Sequence, residues 1–280
     1  MKSSLIDIAT DIGCKNACKY CPQDVTAKNY GENERTMSMD VFKKCFDKMP
    51  KEIGLVFSPF SEPWQNKNTT DMIEYAYKNG HGIYIVTTLA GMTPEDIKRL
   101  KCIRFKGFSV HLQSKTEHFV ESETYLSLLD ELCLSVSNLT FVFFGELDDN
   151  VKDILKKYGH SPTKLKVRSR AGVLFNPGHK TGRIFCGAEG AHVLLPNGDV
   201  VLCCEDFGLK HKLGNLLTGT FDDLHSGKPW KDLKKQFKEY DNDIICRDCE
   251  TSTIYFSKKH LQRILERTKI MVFVKKIRGK

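Results

Sequence analysis

Short apolar runs alternate with longer amphipathic stretches through the first 170 residues. Six runs read as strands, at 5–10, 53–58, 82–88, 106–112, 139–145 and 165–170. Between them the apolar positions recur at helical spacing, near 39–48, 70–78, 95–101, 123–133 and 149–158. Ser38, Thr93-Pro94 and Asp148 stand where helix N-caps belong, and Gly80 where a helix stops. Alternation of strand and helix implies a parallel sheet of right-handed βαβ units. Six units are too few for the eight-fold barrel. The expectation is therefore an α/β fold, an incomplete (β/α)6 TIM-like barrel open on one side. Chemistry in such folds sits at the C-terminal ends of the strands.

The pattern changes after Arg170. Residues 171–183 are rich in Gly, Pro, Asn and His and read as a linker. The apolar runs 192–195 and 200–203 flank Pro196-Asn197-Gly198-Asp199, a hairpin signal. A helix is expected near 221–240. This predicts three parts: a barrel over 1–180, a small hairpin-plus-helix domain over 181–256, and a tail over 257–280.

Composition changes this picture only at the tail. The chain has 280 residues, a net charge of +8 and 40% hydrophobic residues, ordinary for a globular protein. Nine basic residues and one acid fall within 257–280, so the rest of the chain nets to zero. A nucleic-acid binder would carry its basic face on the body, and no nucleic-acid partner is expected there. No run approaches a membrane span, and Asp7 and Asp11 interrupt any signal-peptide core, so a cytoplasmic location is expected. In the tail Leu261, Ile264, Leu265, Met271, Val272, Val274 and Ile277 alternate with basic residues. This suggests peripheral attachment to an anionic inner-membrane surface, or else a solvated helix packed on the barrel.

Eleven cysteines in a cytoplasmic chain point to metal or redox chemistry. Cys45, Cys102 and Cys133 are scattered and read as small buried hydrophobes. Cys14, Cys18 and Cys21 follow the first strand, so one loop can offer three thiolates to a metal centre. Three are one short of a closed zinc site, whereas an iron–sulfur cluster on three cysteines leaves one iron open. Cys186 and Cys203 are drawn together by the hairpin, and Cys246 and Cys249 form a second clamp. These four can hold zinc or a complete cluster, and spacing alone does not separate the two. A zinc-stabilised binding module with a basic tail is the non-enzyme alternative.

Cys-x3-Cys-x2-Cys with Tyr20 before the last cysteine, after the first strand of an incomplete barrel, resembles the radical S-adenosylmethionine (SAM) enzymes. The resemblance implies a [4Fe–4S] cluster on Cys14, Cys18 and Cys21, with SAM on the fourth iron. One electron from the cluster then cleaves SAM to an adenosyl radical that abstracts hydrogen from substrate. It implies cofactor contacts at Tyr20, at Ser61, Glu62 and Pro63 in the turn after the second strand, and at Thr87 and Thr88. His111 and Gln113 would be ribose contacts. Ser61 departs from the glycine usual there. A flavodoxin- or ferredoxin-type electron donor is also implied.

Cys186, Cys203, Cys246 and Cys249, with Gly198, Gly214-Asn215 and Trp230, resemble the auxiliary-cluster domain of these enzymes. No cysteine follows Cys249, so the likeness is to the shorter twitch form of the SPASM domain, with one further [4Fe–4S] cluster. Ser169-Arg170-Ala171-Gly172 and Cys203-Cys204-Glu205-Asp206 are similar to the twitch-type alcohol dehydrogenase of 2-deoxystreptamine biosynthesis. This implies that Arg170 lies between SAM and substrate and that Glu205 orders a substrate hydroxyl, with the auxiliary cluster accepting an electron. Cys204 opens an alternative, return of hydrogen to a carbon radical and thus epimerisation. Peptide modification is another. The barrel pattern begins within five residues of Met1, leaving no room here for the usual peptide-binding domain, so a sugar- or cyclitol-like small molecule is expected.

Overall fold

A computed structural model describes residues 5–16, 18–32, 34–114, 125–186, 190–257 and 261. The basic tail beyond Leu261, with its expected membrane contact, lies outside the described residues. Among the described residues no helix is long and apolar enough to cross a membrane.

The first half runs β1 (Leu5–Ile8), α1 (Gln23–Tyr30), α2 (Met39–Phe46), β2 (Gly54–Phe57), α3 (Thr69–Lys78), β3 (Ile83–Thr87), α4 (Pro94–Leu100), β4 (Gly107–His111), α5 (Tyr125–Ser135), β5 (Leu139–Phe143), α6 (Asp149–Lys157) and β6 (Thr163–Lys164). The second half adds β7 (Ile184–Cys186), β8 (His192–Leu194), β9 (Asp199–Val201), β10 (Lys212–Asn215), α7 (Asp223–Ser226), α8 (Lys228–Gln236) and β11 (Ser252–Ile254). Strands β1 to β6 pair in sequence order and all parallel, as βαβ units require. The caps read from sequence are formed. Ser38 accepts from the Val41 N–H, Thr93 and Asp96 make a reciprocal capping box, and Asp148 accepts from the Asn150 N–H.

Each strand alternates its faces. Ile6, Ile8, Leu55, Phe57, Ile83, Ile85, Phe108 and Val110 bury one face of the sheet in the main core, with Phe42, Phe46, Met72 and Ile73 from the helices. Asp7, Val56, Tyr84, Ser109 and His111 share the other face by that alternation and are only half-buried. The concave interior of the barrel is thus partly polar, while the outer layer is apolar.

Three expectations need correction. Strand six is only Thr163–Lys164; beyond Leu165 the chain leaves the sheet edge, and Arg170 lies in a left-handed turn rather than on a strand. The expected hairpin is formed and continues the barrel sheet: β8 pairs in parallel with β1, and β9 and β10 follow antiparallel. The helix near 221–240 is two helices. Gly227, extended at ψ 166°, separates them, and Pro229 opens α8, where its missing N–H is harmless. Cys45 is buried as expected, but Cys102 is exposed. Helix α1 has no strong apolar stripe and gave no periodic signal.

Candidate active site

The chain after β1 turns through Gly13 and places Cys14, Cys18 and Cys21 at the rim of a cavity of about 200 Å³. Hydrogen bonds set this loop. The Cys14 N–H donates to Gln23 Oε1 (2.9 Å), the Lys15 N–H to Gln65 Oε1 (2.6 Å), and the Cys21 N–H to the Cys18 carbonyl (3.0 Å). The buried Asn16 amide donates to Thr88 Oγ1 (2.7 Å) and ties the loop to β3.

Of the residues expected here, Tyr20, Ser61, Glu62, Thr87, Thr88, His111, Arg170 and Cys204 line the cavity with the three cysteines. Four of the contributing segments follow β1, β2, β3 and β4 at their C-terminal ends. Pro63 and Gln113 do not line it. The Pro63 carbonyl accepts from Thr10 Oγ1, and the Gln113 N–H donates to the Tyr125 hydroxyl. Tyr20 is buried and packs at a 31° tilt against Phe144, ring centroids 4.0 Å apart.

Glu62 is buried under the turn after β2. It accepts from both hydroxyls of Thr87 and Thr88 and from the Thr88 N–H. Burial lifts its pKa to about 7, against the pull of those hydrogen bonds. This carboxyl organises the loop from below, so the two threonine hydroxyls are engaged with it. His111 is lowered to about 4, first by burial and then by the positive charge of Arg170, and is a neutral imidazole.

Arg170 spans the cavity wall. Its Nε donates to the Tyr20 carbonyl (3.3 Å), its guanidinium lies 3.5 Å from Glu205 Oε1, and it faces the Phe207 ring at 5.8 Å. Arg168 holds the same Glu205 oxygen at 3.0 Å. The other oxygen, Oε2, is buried without a hydrogen-bond partner among the described residues. Leaving such an acceptor unmet costs about 1–3 kcal/mol, so the site is built to receive a donor.

The second cysteine set is brought together by long-range pairing. β7 ends in Cys186 and pairs with β11, three residues past Cys249, while Cys203 follows β9. Each of Cys203 and Cys246 feels the charge of Cys186, and they feel each other. Burial, then neighbouring thiolates, raises both well above the ordinary thiol value. Burial likewise lifts Cys14 and Cys21 to about 11. Crowded, desolvated thiols are unfavourable as anions on their own, and bound iron reverses that balance.

The surroundings suit such a centre. Arg247 is fully buried between Cys246 and Cys249 and donates to Asn242 Oδ1 and to the carbonyls of Lys180, Gly182 and Glu239. Lys180 Nζ donates to the Arg247 and Cys249 carbonyls. Two cations thus brace the backbone of the segment that carries Cys246 and Cys249. Among the described residues no three His, Cys, Asp or Glu side chains converge closely enough for a single metal ion. A four-iron cluster takes one thiolate per iron, so its ligands stand farther apart than those of one zinc.

Sequence reasoning missed Arg168, Asp7 and Arg247. Arg168 could have been found two residues before Arg170, and Asp7 as a lone charge inside the apolar run 5–10. Arg247 gave no signal, since Cys-Arg-Asp-Cys reads as a polar loop. Asp7 lies beside Cys204 on the interior face, and burial raises its pKa to about 7.

Residues 186–250 match SPASM, an iron–sulfur cluster-binding domain. A biotin synthase of Vibrio vulnificus (strain YJ016) is 28% identical over 176 residues, covering 58% of this chain and 49% of that protein. The chain thus spans about half the length of the curated relatives it matches. Among solved structures, BtrN in complex with AdoMet and 2-DOIA superposes with a TM-score of 0.60 at 18% identity, covering 93% of this chain and 97% of that one. Streptococcus suis SuiB bound to precursor peptide SuiA gives 0.61 at 11% identity, covering 89% and 70%. These likenesses establish a shared fold, a partial barrel followed by a cluster-binding domain.

Proposed function

We propose that this chain, which has the radical SAM fold and a C-terminal SPASM iron–sulfur domain, is an enzyme that oxidises a hydroxyl-bearing carbon of a small polar molecule. Cys14, Cys18 and Cys21 hold one [4Fe–4S] cluster, and Cys186, Cys203, Cys246 and Cys249 the other. When bound, the first cluster and SAM supply a carbon-centred radical that abstracts hydrogen from substrate, and the second cluster accepts an electron.

The chain's own residues do the rest. Tyr20, the turn from Ser61 to Glu62, and the Thr87–Thr88 segment shape the SAM-facing wall. Neutral His111 offers a hydrogen bond without adding charge. Arg170 and Arg168 hold Glu205 in one orientation. The observation that carries the reading is the unmet Oε2 of Glu205, a buried acceptor that does not itself line the cavity but is paired with Arg170 and follows Cys204, which do. A substrate hydroxyl donates to it and can pass it a proton as the carbon is oxidised. BtrN, whose fold is shared, is recorded with AdoMet and 2-DOIA, which agrees with a small-molecule substrate.

The test is iron and sulfide content of anaerobically reconstituted protein, followed by SAM cleavage with panels of polyols and amino sugars. About eight irons per chain and substrate-dependent cleavage that yields a ketone are expected. Glu205→Gln should keep both clusters and SAM binding and lose at least about 100-fold in product formation. Ketone formation unaffected by Glu205→Gln would sink the assignment.

A second reading is favoured by Cys204, whose thiol lines the cavity. It would return a hydrogen atom and give an epimer. Deuterium from heavy water in an unoxidised product, lost in Cys204→Ala, would select it.

A further inference from the structure

The turn that presents Arg170 is held in place from outside. Arg170 (φ 54°), Ala171 (φ 51°) and Gly172 (φ 84°) are three successive residues in the left-handed region. Two of them carry a Cβ, which disfavours that region by roughly 1–2 kcal/mol each. Such a turn persists only where its surroundings over-determine it.

Ser169 provides the hold. It is fully buried, its N–H donates to Glu250 Oε1 (2.6 Å), and its hydroxyl donates to Glu250 Oε2 (2.6 Å). The Gly172 N–H donates back to Ser169 Oγ (3.3 Å), closing the turn. A Cβ on Gly172 would stand 3.1 Å from Asp248 Cβ, so the turn is pressed against the segment of the second cysteine clamp. Glu250 itself follows Cys249 directly. At the other end, Arg170 Nε reaches the carbonyl of Tyr20, the residue before Cys21.

We propose that Glu250 is a positioning residue: by clamping Ser169 it sets the left-handed turn that holds Arg170 against the first cysteine loop, and so couples the second cluster site to the electrostatics of the first. This rests on the two-cluster reading above. The guanidinium is a positive charge beside the Cys21 end of the loop. A cation there favours the reduced, more negative cluster and raises its reduction potential. Loosening the turn removes part of that bias. No contact with SAM or substrate by Glu250 is needed.

Two measurements on the full chain test the coupling. The first is hydrogen exchange across residues 169–174 in the protein as purified. Glu250→Ala and Ser169→Ala should speed exchange at Gly172 and Leu174 by about tenfold or more, whereas Glu250→Gln, which still accepts from the Ser169 N–H, should not. Unchanged exchange in both alanine variants overturns the clamp, whatever the chain binds. The second is an anaerobic redox titration of the cluster whose paramagnetic signal responds to added SAM, with iron content matched to the parent. Arg170→Gln should lower its potential, and Glu250→Ala and Ser169→Ala should lower it in the same direction by less. Glu250→Gln should restore the parent value, and Glu250→Ala should add nothing in the Arg170→Gln background. A shift that persists in that background overturns the route through Arg170. Absence of any SAM-responsive signal in the parent instead ends the two-cluster reading, and the exchange data still decide the clamp.

Discussion

Cys246 and Cys249 are buried and bracket a fully buried arginine, whereas Cys14, Cys18 and Cys21 stand half-exposed at the rim of an open cavity. The second site is framed by long-range strand pairing and by a cation whose fork engages backbone carbonyls on two segments. The first is framed by a single loop whose backbone donors find glutamine side chains. Rigidity suits a centre that, on the proposed reading, passes an electron without binding a ligand. An accessible loop serves one that must also meet a ligand. The difference lies in what each set of side chains excludes from its surroundings rather than in the cysteines themselves.

The largest break in the comparison is at Arg247. Arg247→Ala removes a cation and leaves the carbonyls of Lys180, Gly182 and Glu239 buried and unmet. A loss of about 3–5 kcal/mol in urea denaturation is expected, with loss of iron at the second site alone. A loss under about 1 kcal/mol would show that the cysteine centre, and not the arginine, holds this frame.

Asp7 lies on the interior face of β1 beside Cys204 and tests the polar interior of the barrel. Burial lifts its pKa from 3.8 to about 7. A raised carboxyl binds its proton more tightly in the folded chain, so it weakens the fold as pH rises from 4 to 7, fully so above 7. Asp7→Asn should then stabilise by about 2–4 kcal/mol above pH 7, less than the whole shift implies because the side chain is partly open to the interior. Below pH 4 the two proteins should be alike. A pH-independent difference would mean that packing, and not charge, separates them.

Gly198 tests the hairpin that delivers Cys203. Its φ is +82°, and an added Cβ would come within 2.7 Å of Leu217 Cγ. Gly198→Ala should cost about 1–3 kcal/mol and weaken the second site without touching iron at the first. Equal iron loss at both sites would show that the two frames are one cooperative unit.

This asymmetry also explains what the sequence could and could not reveal. The barrel was legible because short apolar runs such as 5–10 and 53–58 alternate with helical stretches capped by Ser38, Thr93 and Asp148. The seven cysteines proposed as cluster ligands stood out because Cys14, Cys18 and Cys21, and Cys246 and Cys249, fall at short spacing, and the hairpin signal draws Cys203 toward Cys186. The Asn197-Gly198 turn also announced itself. Hidden were features that depend on distant partners. Arg170 lies off the strand because Ser169 is held by Glu250, 81 residues away. Pro63 and Gln113 fell outside the cavity because a turn's register cannot be counted from its strand. Arg247 is silent because only the folded chain shows that its polar loop is interior.

The smallest effect belongs to the first loop and sharpens the contrast most. Gln65 accepts from the Lys15 N–H at 2.6 Å and donates to Ser61 Oγ at 2.7 Å, joining the cysteine loop to the turn after β2. The bond to Lys15 is exposed, and water can replace it, so Gln65→Ala should cost about 0.5–1 kcal/mol or less in global stability. Its effect should be local: faster amide exchange at Cys14 and Lys15, weaker SAM binding, and no change around Arg247. Global loss comparable to Gly198→Ala would place the first loop in the folding core, and the distinction between a held centre and an accessible one would fail.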